Sequence, residues 1–253
     1  MTPAPVSTIP RMNIKRFLLL AILGGVFTCL SGAQAAPRGG SNQSRDFLAG
    51  SSEYDGWSCG LFFLSRDKAV EVENFLGDLD DQKFAAYVGH TLSSWITVYG
   101  IAGTQRSTFS QGFAASGDQK FLYGAAANFD LFSSEIQDPV IMENQIRVNA
   151  DLAYYKSMFT AFGEEFDVDQ FDASLTASLL NDLDGVALYM PESIAIFAGP
   201  VYSQLTGDVN DDPDNAVGYT AGLEVFQTKR VSYYVRVEDM KNTGYGAGVN
   251  VRF

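Results

Sequence analysis

Apolar and polar residues alternate along most of the chain from residue 56 to the C-terminus. A period of two places successive side chains on opposite faces of a β-strand. The last segment alternates most strictly, because Tyr245, Ala247, Val249, Val251 and Phe253 share one face while glycine, asparagine and arginine fall on the other. An amphipathic helix, with its period of 3.6, would mix the two sets. The pattern therefore predicts an all-β protein.

Ten segments carry this alternation. We predict strands at residues 57–66, 84–92, 96–105, 121–131, 145–156, 171–179, 193–205, 217–226, 231–238 and 243–253. Polar, mostly acidic stretches after the odd-numbered strands are predicted as long outer loops, at residues 67–83, 107–118, 163–169 and 207–215. Short turns are expected after the even-numbered strands. Eight strands remain possible if the third or seventh segment fails, and a helix is the alternative for residues 171–179, because Ala and Leu are helix formers.

The two faces of the predicted strands also differ in charge. The outward faces of the fourth, fifth, sixth, eighth and final strands carry no Lys or Arg in the residues that would cross a membrane. Charged residues gather instead on the inward faces, at Asp130, Arg147, Asp151, Asp172, Glu224, Arg236, Glu238 and Arg252. A Lys or Arg facing lipid costs about 2–4 kcal/mol at mid-depth. The segregation therefore favours a barrel with a lipid-facing outside and a lumen bridged by ion pairs; inward charges that merely stay hydrated are the alternative.

The C-terminal strand resembles that of Gram-negative outer-membrane β-barrels, which finish in Phe with apolar residues at every second position before it. The resemblance implies a transmembrane, antiparallel, up-and-down β-barrel of about ten strands in the cell outer membrane, with short periplasmic turns and longer external loops. It also implies that Tyr245, Val249, Val251 and Phe253 form the signal read by the barrel-assembly machinery. Periplasmic chaperones, outer-membrane lipid and lipopolysaccharide are the other expected partners, and the oligomeric state is left open.

Counting residues back from the connections predicts which inward groups meet. The expected neighbours are Arg147 with Asp130, Arg236 with Glu224, Tyr234 with Gly248, and Arg236 with Gly246. In the last two pairs a bulky side chain lies beside an empty position. We therefore expect a narrow, largely filled interior with at most a small pore. Trp57 and Trp95 fall near the periplasmic ends of their strands, where an aromatic girdle would lie; a core position is the alternative for each.

The N-terminal segment has the layout of a secretory signal peptide. Three basic residues up to Arg16 precede an apolar run at residues 17–30, and small residues end at Ala35, where we expect cleavage. The run is shorter than the roughly twenty residues of a membrane-spanning helix. The expected organisation is a signal peptide at residues 1–35, a flexible leader at 36–55 and one barrel domain at 56–253, with Met12 as an alternative start to Met1.

Composition limits the partners of the exported chain. The sequence has 30 acidic and 17 basic side chains, a net charge of −13. Because the signal segment holds three basic and no acidic residues, its removal would leave a net charge of −16. Nucleic acid is therefore not an expected partner. Cleavage would also leave Cys59 as the only cysteine, which excludes an intramolecular disulfide.

Residues suited to catalysis or metal binding are scarce. His90 is the only histidine, and it is predicted near the periplasmic end of the second strand. A barrel-borne hydrolase or acyltransferase is therefore disfavoured, and we assign no catalytic residue and no cofactor. The acidic stretch that begins at Asp208 opens like a calcium loop, with Asp208, Asn210 and Asp212 as weak candidate ligands. It departs from the EF-hand pattern because Pro213 replaces the glycine of the sharp turn, and a solvated loop is the simpler interpretation.

Together these patterns favour a non-enzymatic integral outer-membrane protein with acidic external loops and an envelope-structural or surface-interaction role. A narrow passive channel for small solutes is the alternative within the same fold. A soluble, secreted β-sandwich that acts as a binding module is the alternative outside it.

Overall fold

The computed structural model of the chain describes residues 56–72, 75–93, 95–110, 114–136, 144–161, 164–183, 191–211, 216–228 and 230–252. The strands are β1 (Trp57–Val72), β2 (Phe75–Ser93), β3 (Ile96–Ser110), β4 (Ala114–Ile136), β5 (Asn144–Ala161), β6 (Glu164–Asp182), β7 (Ser193–Gly207), β8 (Val209–Asp211), β9 (Val217–Thr228), β10 (Val231–Met240) and β11 (Asn242–Arg252). Within these ranges no helix has the length and hydropathy needed to cross a membrane. The predicted signal peptide, the leader and Phe253 lie outside the described residues.

One antiparallel sheet closes on itself. Strands pair with their neighbours in chain order, except that β7 pairs with β9 and the three-residue β8 pairs with β1. β11 pairs with β1, from Arg252 opposite Ser58 to Tyr245 opposite Ser65. Ten strands therefore form the wall of an up-and-down barrel, which confirms the predicted fold and strand number. The β-sandwich is wrong, because the first and last wall strands pair with each other, and the helix at residues 171–179 is wrong, because this segment lies within β6.

The wall separates an apolar outer surface from a mixed interior. On β10 the side chains of Ser232, Tyr234, Arg236, Glu238 and Met240 are buried, and the residues between them are exposed. On β6 the outward-facing residues from Phe171 to Leu179 are all apolar. These nine residues match the length of a membrane-crossing strand, about 9–11 residues. Exposed apolar side chains at the same level on the other strands continue this band around the barrel, and we call it the apolar belt.

Three of the four predicted outer loops are wrong, because those residues extend the strands. Two residues separate β1 from β2, and two separate β5 from β6. Within these extensions outward acidic residues alternate with buried ones, as with Glu71 beside Val70 and Asp80 beside Leu79. Carboxylates facing water do not disturb a strand whose other face is buried, so charge density was a poor sign of a loop. In the fourth predicted loop, residues 209–211 form β8.

The predicted asymmetry of the connections is correct only in part: the connections after the second and eighth wall strands are short and the one after the seventh is long, as predicted, but the others do not follow the prediction. The termini of the barrel, Trp57 and Arg252, lie at one end, which we call the inner end. The connections at residues 137–143 and 183–192 lie at this inner end and are longer than those between β1 and β2 or between β5 and β6 at the outer end. Polar stretches therefore marked strand extension rather than loop length.

The outer end of the barrel forms a tier of its own. β1 to β7 have 15–23 residues and continue outward past the apolar belt, and we call these extensions together with β8 the outer tier. Its interior holds an outer apolar cluster, formed by Val70, Leu79, Phe109, Phe159, Phe166, Val168, Leu205 and Val209. The tier therefore has a packed apolar interior at the mouth of the barrel.

Glycines in β11 make room for large side chains of β10. The register places Tyr234 opposite Gly248 and Arg236 opposite Gly246, which confirms both predicted pairs. A Cβ atom at residue 248 would lie 2.4 Å from Cε1 of Tyr234, whereas a Cβ at Gly100 would meet nothing within 4 Å. The two positions therefore differ in the space for a methyl group.

We expect Gly248→Ala to destabilise the barrel by about 1–3 kcal/mol, because the methyl group overpacks the interior against Tyr234. Gly100→Ala is the matched control and is expected to be neutral or stabilising by about 0.5–1 kcal/mol. Urea unfolding in phospholipid vesicles measures both free energies. Equal effects of the two substitutions would show that the interior near Tyr234 is not tightly packed.

Candidate functional site

The lumen is the candidate functional site, because inward-facing side chains form polar and apolar layers along it. Near the inner end, the buried carboxylate of Glu224 accepts hydrogen bonds from Ser232 Oγ at 2.6 Å and from Asn250 Nδ2 at 3.1 Å. Tyr87 donates its hydroxyl to Asn250 Oδ1. The charge of Glu224 is thus held by uncharged donors from β10 and β11, as a buried carboxylate requires.

Across the lumen, β4 and β5 hold a second polar group at the inner end. Asp151 accepts from Asn128 Nδ2 at 2.7 Å and from Ser174 Oγ at 3.1 Å. Arg147 donates through Nε to Gln145 Oε1 at 3.0 Å. These bonds tie three neighbouring strands together on the inner side of the wall.

The prediction that Arg147 lies opposite Asp130 on the neighbouring strand is wrong. Asp130 lies opposite Asn149, and Arg147 lies opposite Ser133, because the register between β4 and β5 shifts between Asp130 and Phe132. With its amide oriented to satisfy both groups, Asn149 donates to Asp130 Oδ1 at 3.1 Å. A bulge adds one residue to one strand and cannot be located by counting.

Arg236 and Glu224, which were predicted to lie near each other, are diagonal neighbours on the inner face of β10 and β9. Arg236 lies opposite Gly222, and Glu224 lies opposite Tyr234. Arg236 also pairs with Glu238 on its own strand, with Nε and Oε1 3.4 Å apart. A register shift next to Val231 at the start of β10 moves the partner of Arg236 by one residue along β9.

A central aromatic cluster fills the middle of the lumen. It is formed by Phe62, Leu64, Ala85, Tyr87, Tyr99, Ile101, Leu122, Ala153, Tyr155 and Tyr234. The rings of Tyr87 and Tyr99 meet edge to face, with centroids 5.7 Å apart, which is a favourable aromatic geometry. Strands on both sides of the closing seam contribute, so the cluster connects them across the lumen.

A plate of hydrogen-bonded polar side chains lies between the central aromatic cluster and the outer apolar cluster, and we call it the polar plate. Arg66 of β1 is at its centre: Nη1 donates to Ser203 Oγ at 3.0 Å and to Asp172 Oδ1 at 3.3 Å, and the guanidinium also pairs with Glu238. Lys68 donates to the carbonyl oxygen of Ser203 at 2.8 Å. One guanidinium therefore links β1, β6, β7 and β10 across the interior.

The polar plate extends to the opposite wall. Gln170 donates to Asp172 Oδ1 at 3.0 Å, and Lys83 donates to Gln170 Oε1 at 2.6 Å and pairs with Asp81. Ser107 Oγ donates to Asp81 at 3.2 Å. The network thus reaches from β3 to β10, and its members fill the cross-section with groups that satisfy one another.

Buried charges of the two signs nearly balance in the described part of the chain. The buried cations are Arg66, Lys68, Lys83, Arg147, Arg236 and Arg252. The buried anions are Asp81, Asp151, Asp172, Glu224 and Glu238, and Asp130 is half-buried. A lumen that selected ions by charge would carry an excess of one sign. This balance fits a closed interior better than an ion-selective one.

A small cavity of about 10 Å³ lies beside the polar plate. Asp151, Asp172, Ser174, Thr220, Arg236 and Glu238 contribute its polar lining. The space is close to the minimum for one water molecule. It is therefore a packing defect within the network and offers no room for an organic ligand.

The structure brings together some of the charged residues predicted for the lumen and separates others. Asp172, Arg236 and Glu238 belong to the polar plate, whereas Arg147, Asp151 and Glu224 belong to inner groups. Arg252 is buried at the inner end. Arg66, Lys68, Asp81 and Lys83 were missed, because all except Arg66 were placed in a loop. Arg66, Lys68 and Val70 occupy alternate positions and therefore share one face of a strand. This alternation was the sequence pattern that could have placed these residues in the lumen.

The other predicted sites fall at the rims of the barrel. Tyr245 is exposed, and Val249 and Val251 are half-buried on the outer face of β11. His90 packs on Trp57 at the inner end, with ring centroids 4.5 Å apart.

The Asp208 carboxylate accepts from the backbone N–H of Asp167 at 2.9 Å. Asn210 lies in β8 and Asp212 outside the described residues. Among the residues that the structure covers, no three or more His, Cys, Asp or Glu side chains form a group suited to a metal ion.

Carboxylates crowd the outward face of β1 and β2 in the outer tier. Asp67 lies opposite Asp80 in the register. Partial burial raises the pKa of Asp80, and the negative charges of Asp67 and Asp81 raise it further. Farther round the tier, Lys120 donates to Glu165 at 2.5 Å and lowers the pKa of that carboxyl. The sector formed by β1 and β2 is thus strongly acidic.

Aromatic side chains mark both edges of the apolar belt. Those exposed at its outer edge are Phe63, Phe84, Phe121, Tyr123, Tyr154, Phe171, Tyr219 and Tyr245. Those exposed at its inner edge are Trp57, Trp95, Phe132 and Tyr233. Girdles of aromatic side chains along both edges of an apolar band are typical of transmembrane β-barrels. A closed antiparallel barrel with this exterior has the fold of the outer-membrane β-barrel class.

Solved structures with a similar fold include several outer-membrane barrels. Neisserial surface protein A has 13% identity and a TM-score of 0.34, over 78% of this chain and 97% of that chain. An outer membrane channel from Pseudomonas putida F1 has 11% identity and a TM-score of 0.36, over 80% and 98%. The translocator domain of the autotransporter NalP from Neisseria meningitidis has 11% identity and a TM-score of 0.35, over 95% and 98%.

No protein-family model and no curated protein matches the chain. Likenesses as distant as those to the solved structures carry no argument about function. The class therefore rests on the strand pairing and the exterior of this barrel.

Proposed function

We propose that the protein is an integral outer-membrane β-barrel with a closed lumen, which acts without catalysis in envelope structure or surface interaction. The single observation that carries this proposal is the filled interior. Polar groups, the central aromatic cluster, the polar plate and the outer apolar cluster follow one another along the barrel axis. A solute would have to displace packed side chains in each layer.

The membrane location is supported by the apolar belt and its aromatic edges. Burying this surface in water-free hydrocarbon removes apolar area from water, which is favourable by roughly 25 cal/mol per Å². The chain satisfies the backbone of the spanning strands internally by closing the sheet, as a membrane-spanning sheet must. Export through the predicted signal peptide, chaperone binding in the periplasm and assembly through the C-terminal strand belong to the same proposal.

The surface role is supported by the form of the outer tier. On β1 the tier extends from Arg66 to Val72, which is about 20 Å of extended chain at roughly 3.3 Å per residue. The inner end holds the termini of the barrel, so we infer that the outer tier faces the cell exterior. It presents a structured, largely acidic β-surface, and lipopolysaccharide surrounds the belt below it.

A narrow passive channel is the second candidate function. The observation that favours it is the small cavity beside the polar plate, whose lining includes Asp151 of the inner polar groups. Conduction would then require displacement of both the central aromatic cluster and the outer apolar cluster, because an apolar constriction excludes water and ions.

We expect the refolded protein to leave a planar lipid bilayer electrically silent, since the packed layers exclude hydrated ions. A porin incorporated in the same way is the control for insertion, and heat-modifiable migration on a gel verifies the folded barrel. Reproducible single-channel steps from the folded protein would contradict the closed lumen and favour the channel. Failure to fold in lipid would contradict the membrane location itself.

A further inference from the structure

The outward face of β3 has no bulky side chain in the outer half of the apolar belt. It presents Gly100, Ala102 and Thr104 at three successive outward positions. Within the described ranges, no other wall strand has three successive outward positions in the belt without a side chain larger than threonine. A Cβ atom at Gly100 would meet nothing within 4 Å. β3 therefore forms a low strip in the outer surface of the barrel.

Larger side chains of β2 and β4 rise on both sides of this strip. The register places Phe84 on one side of Thr104 and Phe121 on the other. Val88 continues the β2 side and Tyr123 the β4 side, and all four of these flanking side chains are exposed. The rings of Phe121 and Tyr123 stack with centroids 6.1 Å apart, which makes the β4 side a continuous aromatic wall. We call the depression between the two walls the β3 groove.

The β3 groove has the dimensions of one leaflet. From Thr104 to Gly100 the floor spans four residue steps, roughly 13 Å at about 3.3 Å per residue. Half of the hydrocarbon core of a bilayer is about 15 Å thick. The groove therefore matches the length over which a lipid of the outer leaflet lies against the barrel.

Hydrogen-bond donors lie at the outer end of the β3 groove. Arg106 follows Thr104 on the same outward face, and the register places Gln82 of β2 and Gln119 of β4 at its two sides. These three side chains are exposed. Gln119 Nε2 donates to Thr104 Oγ1 at 2.8 Å. A guanidinium between two amides offers several N–H donors to one anion.

The charge of Arg106 is available to a ligand. In the part of the chain that the structure describes, its guanidinium forms no ion pair and donates no hydrogen bond. It acts to lower the pKa of Asp80 on β2, but partial burial and like charges outweigh this effect. Lys120 on the adjacent β4 differs, because it is paired with Glu165. Arg106 is therefore a cation that an anion approaching from the membrane can meet without breaking an existing ion pair.

We propose that the β3 groove binds one lipid whose headgroup carries a phosphate, with an acyl chain along the floor and the phosphate on Arg106. The aromatic edge of the belt lies at the level of lipid headgroups, and Arg106 lies two residues, roughly 7 Å, beyond that edge. Phosphate oxygens accept strong, charge-assisted hydrogen bonds from a guanidinium. A lipid fits both the apolar floor and the cation above it. This inference rests on the membrane location proposed above and specifies the lipid.

The test compares the affinities of three probes for the full barrel in detergent micelles, measured by native mass spectrometry. Dimyristoylphosphatidic acid carries the chains and an anionic phosphate, dimyristoylphosphatidylcholine carries the same chains on a zwitterionic headgroup, and glycerol phosphate carries the anion without chains. Arg106→Gln removes the cation, with Lys241→Gln as the matched control at the turn between β10 and β11. Ala102→Leu fills the groove, with Ala221→Leu as the matched control on the outward face of β9.

We expect the wild-type barrel to bind phosphatidic acid at least about tenfold more tightly than phosphatidylcholine, because charge-assisted hydrogen bonds are the stronger ones. Arg106→Gln should remove most of this preference, Ala102→Leu should weaken the binding of both lipids, and the two control variants should match the wild type.

Two results would overturn the lipid site: equal affinity of the wild type for the two lipids, or equal effects of Arg106→Gln and Lys241→Gln. Glycerol phosphate bound as tightly as phosphatidic acid would show an anion site without the groove and would also overturn it. Heat-modifiable migration is recorded for every variant. Failure of the barrel to fold, which refutes the proposed function, is thereby distinguished from failure of lipid binding alone.

Discussion

Replacing Arg66 with methionine is expected to destabilise the folded barrel by about 3–5 kcal/mol, the usual cost of removing one partner of a buried ion pair. Arg66 is 3% exposed, forms ion pairs with Glu238 and Asp172, and donates a hydrogen bond to Ser203. Methionine occupies a similar volume, so the loss is chiefly electrostatic: it leaves the carboxylates of Glu238 and Asp172 buried with fewer cationic and hydrogen-bonding partners. Urea unfolding in phospholipid vesicles measures the change.

Two controls separate this effect from a general intolerance to substitution. Arg106→Met removes a guanidinium from the exposed outer face of β3, where surface substitutions are usually within about 0.5 kcal/mol of neutral. Arg66→Met combined with Glu238→Gln should recover part of the lost stability, because the second substitution removes one of the buried carboxylates that paired with Arg66. If Arg66→Met and Arg106→Met had the same small effect, the polar plate would not be a buried network that holds the barrel together.

Introducing lysine at Val235 is expected to destabilise the barrel by about 2–4 kcal/mol in a bilayer. Val235 is 57% exposed on the outer face of β10, midway between Tyr233 and Val237. In a water-soluble protein an exposed valine accepts lysine with little cost. In the apolar belt the ammonium group meets hydrocarbon, so the magnitude of the loss reports the surrounding medium.

The matched control for Val235→Lys lies on the same strand. Asp239→Lys places the same side chain on the same face of β10, outside the apolar belt, and should change the free energy of unfolding much less. Unfolding of both variants in vesicles of identical lipid gives the comparison. Equal stabilities would mean that the outer face of β10 does not cross the hydrocarbon.

The alternating pattern predicted the strands of the barrel wall because each strand has one face on the outer surface and the other towards the lumen. The register of the last hairpin was also predicted correctly. Tyr234 lies opposite Gly248 because no bulge interrupts the pairing of β10 with β11. The pairing of Arg147 with Asp130 failed because the register shifts between Asp130 and Phe132. A bulge depends on local twist and side-chain packing, which a count of residues does not contain.

The outer tier was the main feature that the sequence did not predict. Acidic residues such as Glu71 and Asp80 suggested loops, although their neighbours Val70 and Leu79 carry the buried face of a strand. Lys68 and Lys83 were missed for the same reason. β8 is a further case, because three residues carry too little periodicity to indicate a strand, and its position follows from the shortness of β9 to β11.

Lipid quenching of tryptophan fluorescence tests the membrane-facing belt most directly. Trp57 and Trp95 are the only tryptophans of the chain, and they are 45% and 54% exposed on the outer surface at the inner edge of the belt. In vesicles of phosphatidylcholine brominated on its acyl chains we expect strong quenching, greater when the bromines lie close to the headgroup than when they lie near the bilayer centre. Fluorescence equal to that in unbrominated vesicles would mean that these side chains do not touch lipid, and would contradict the account.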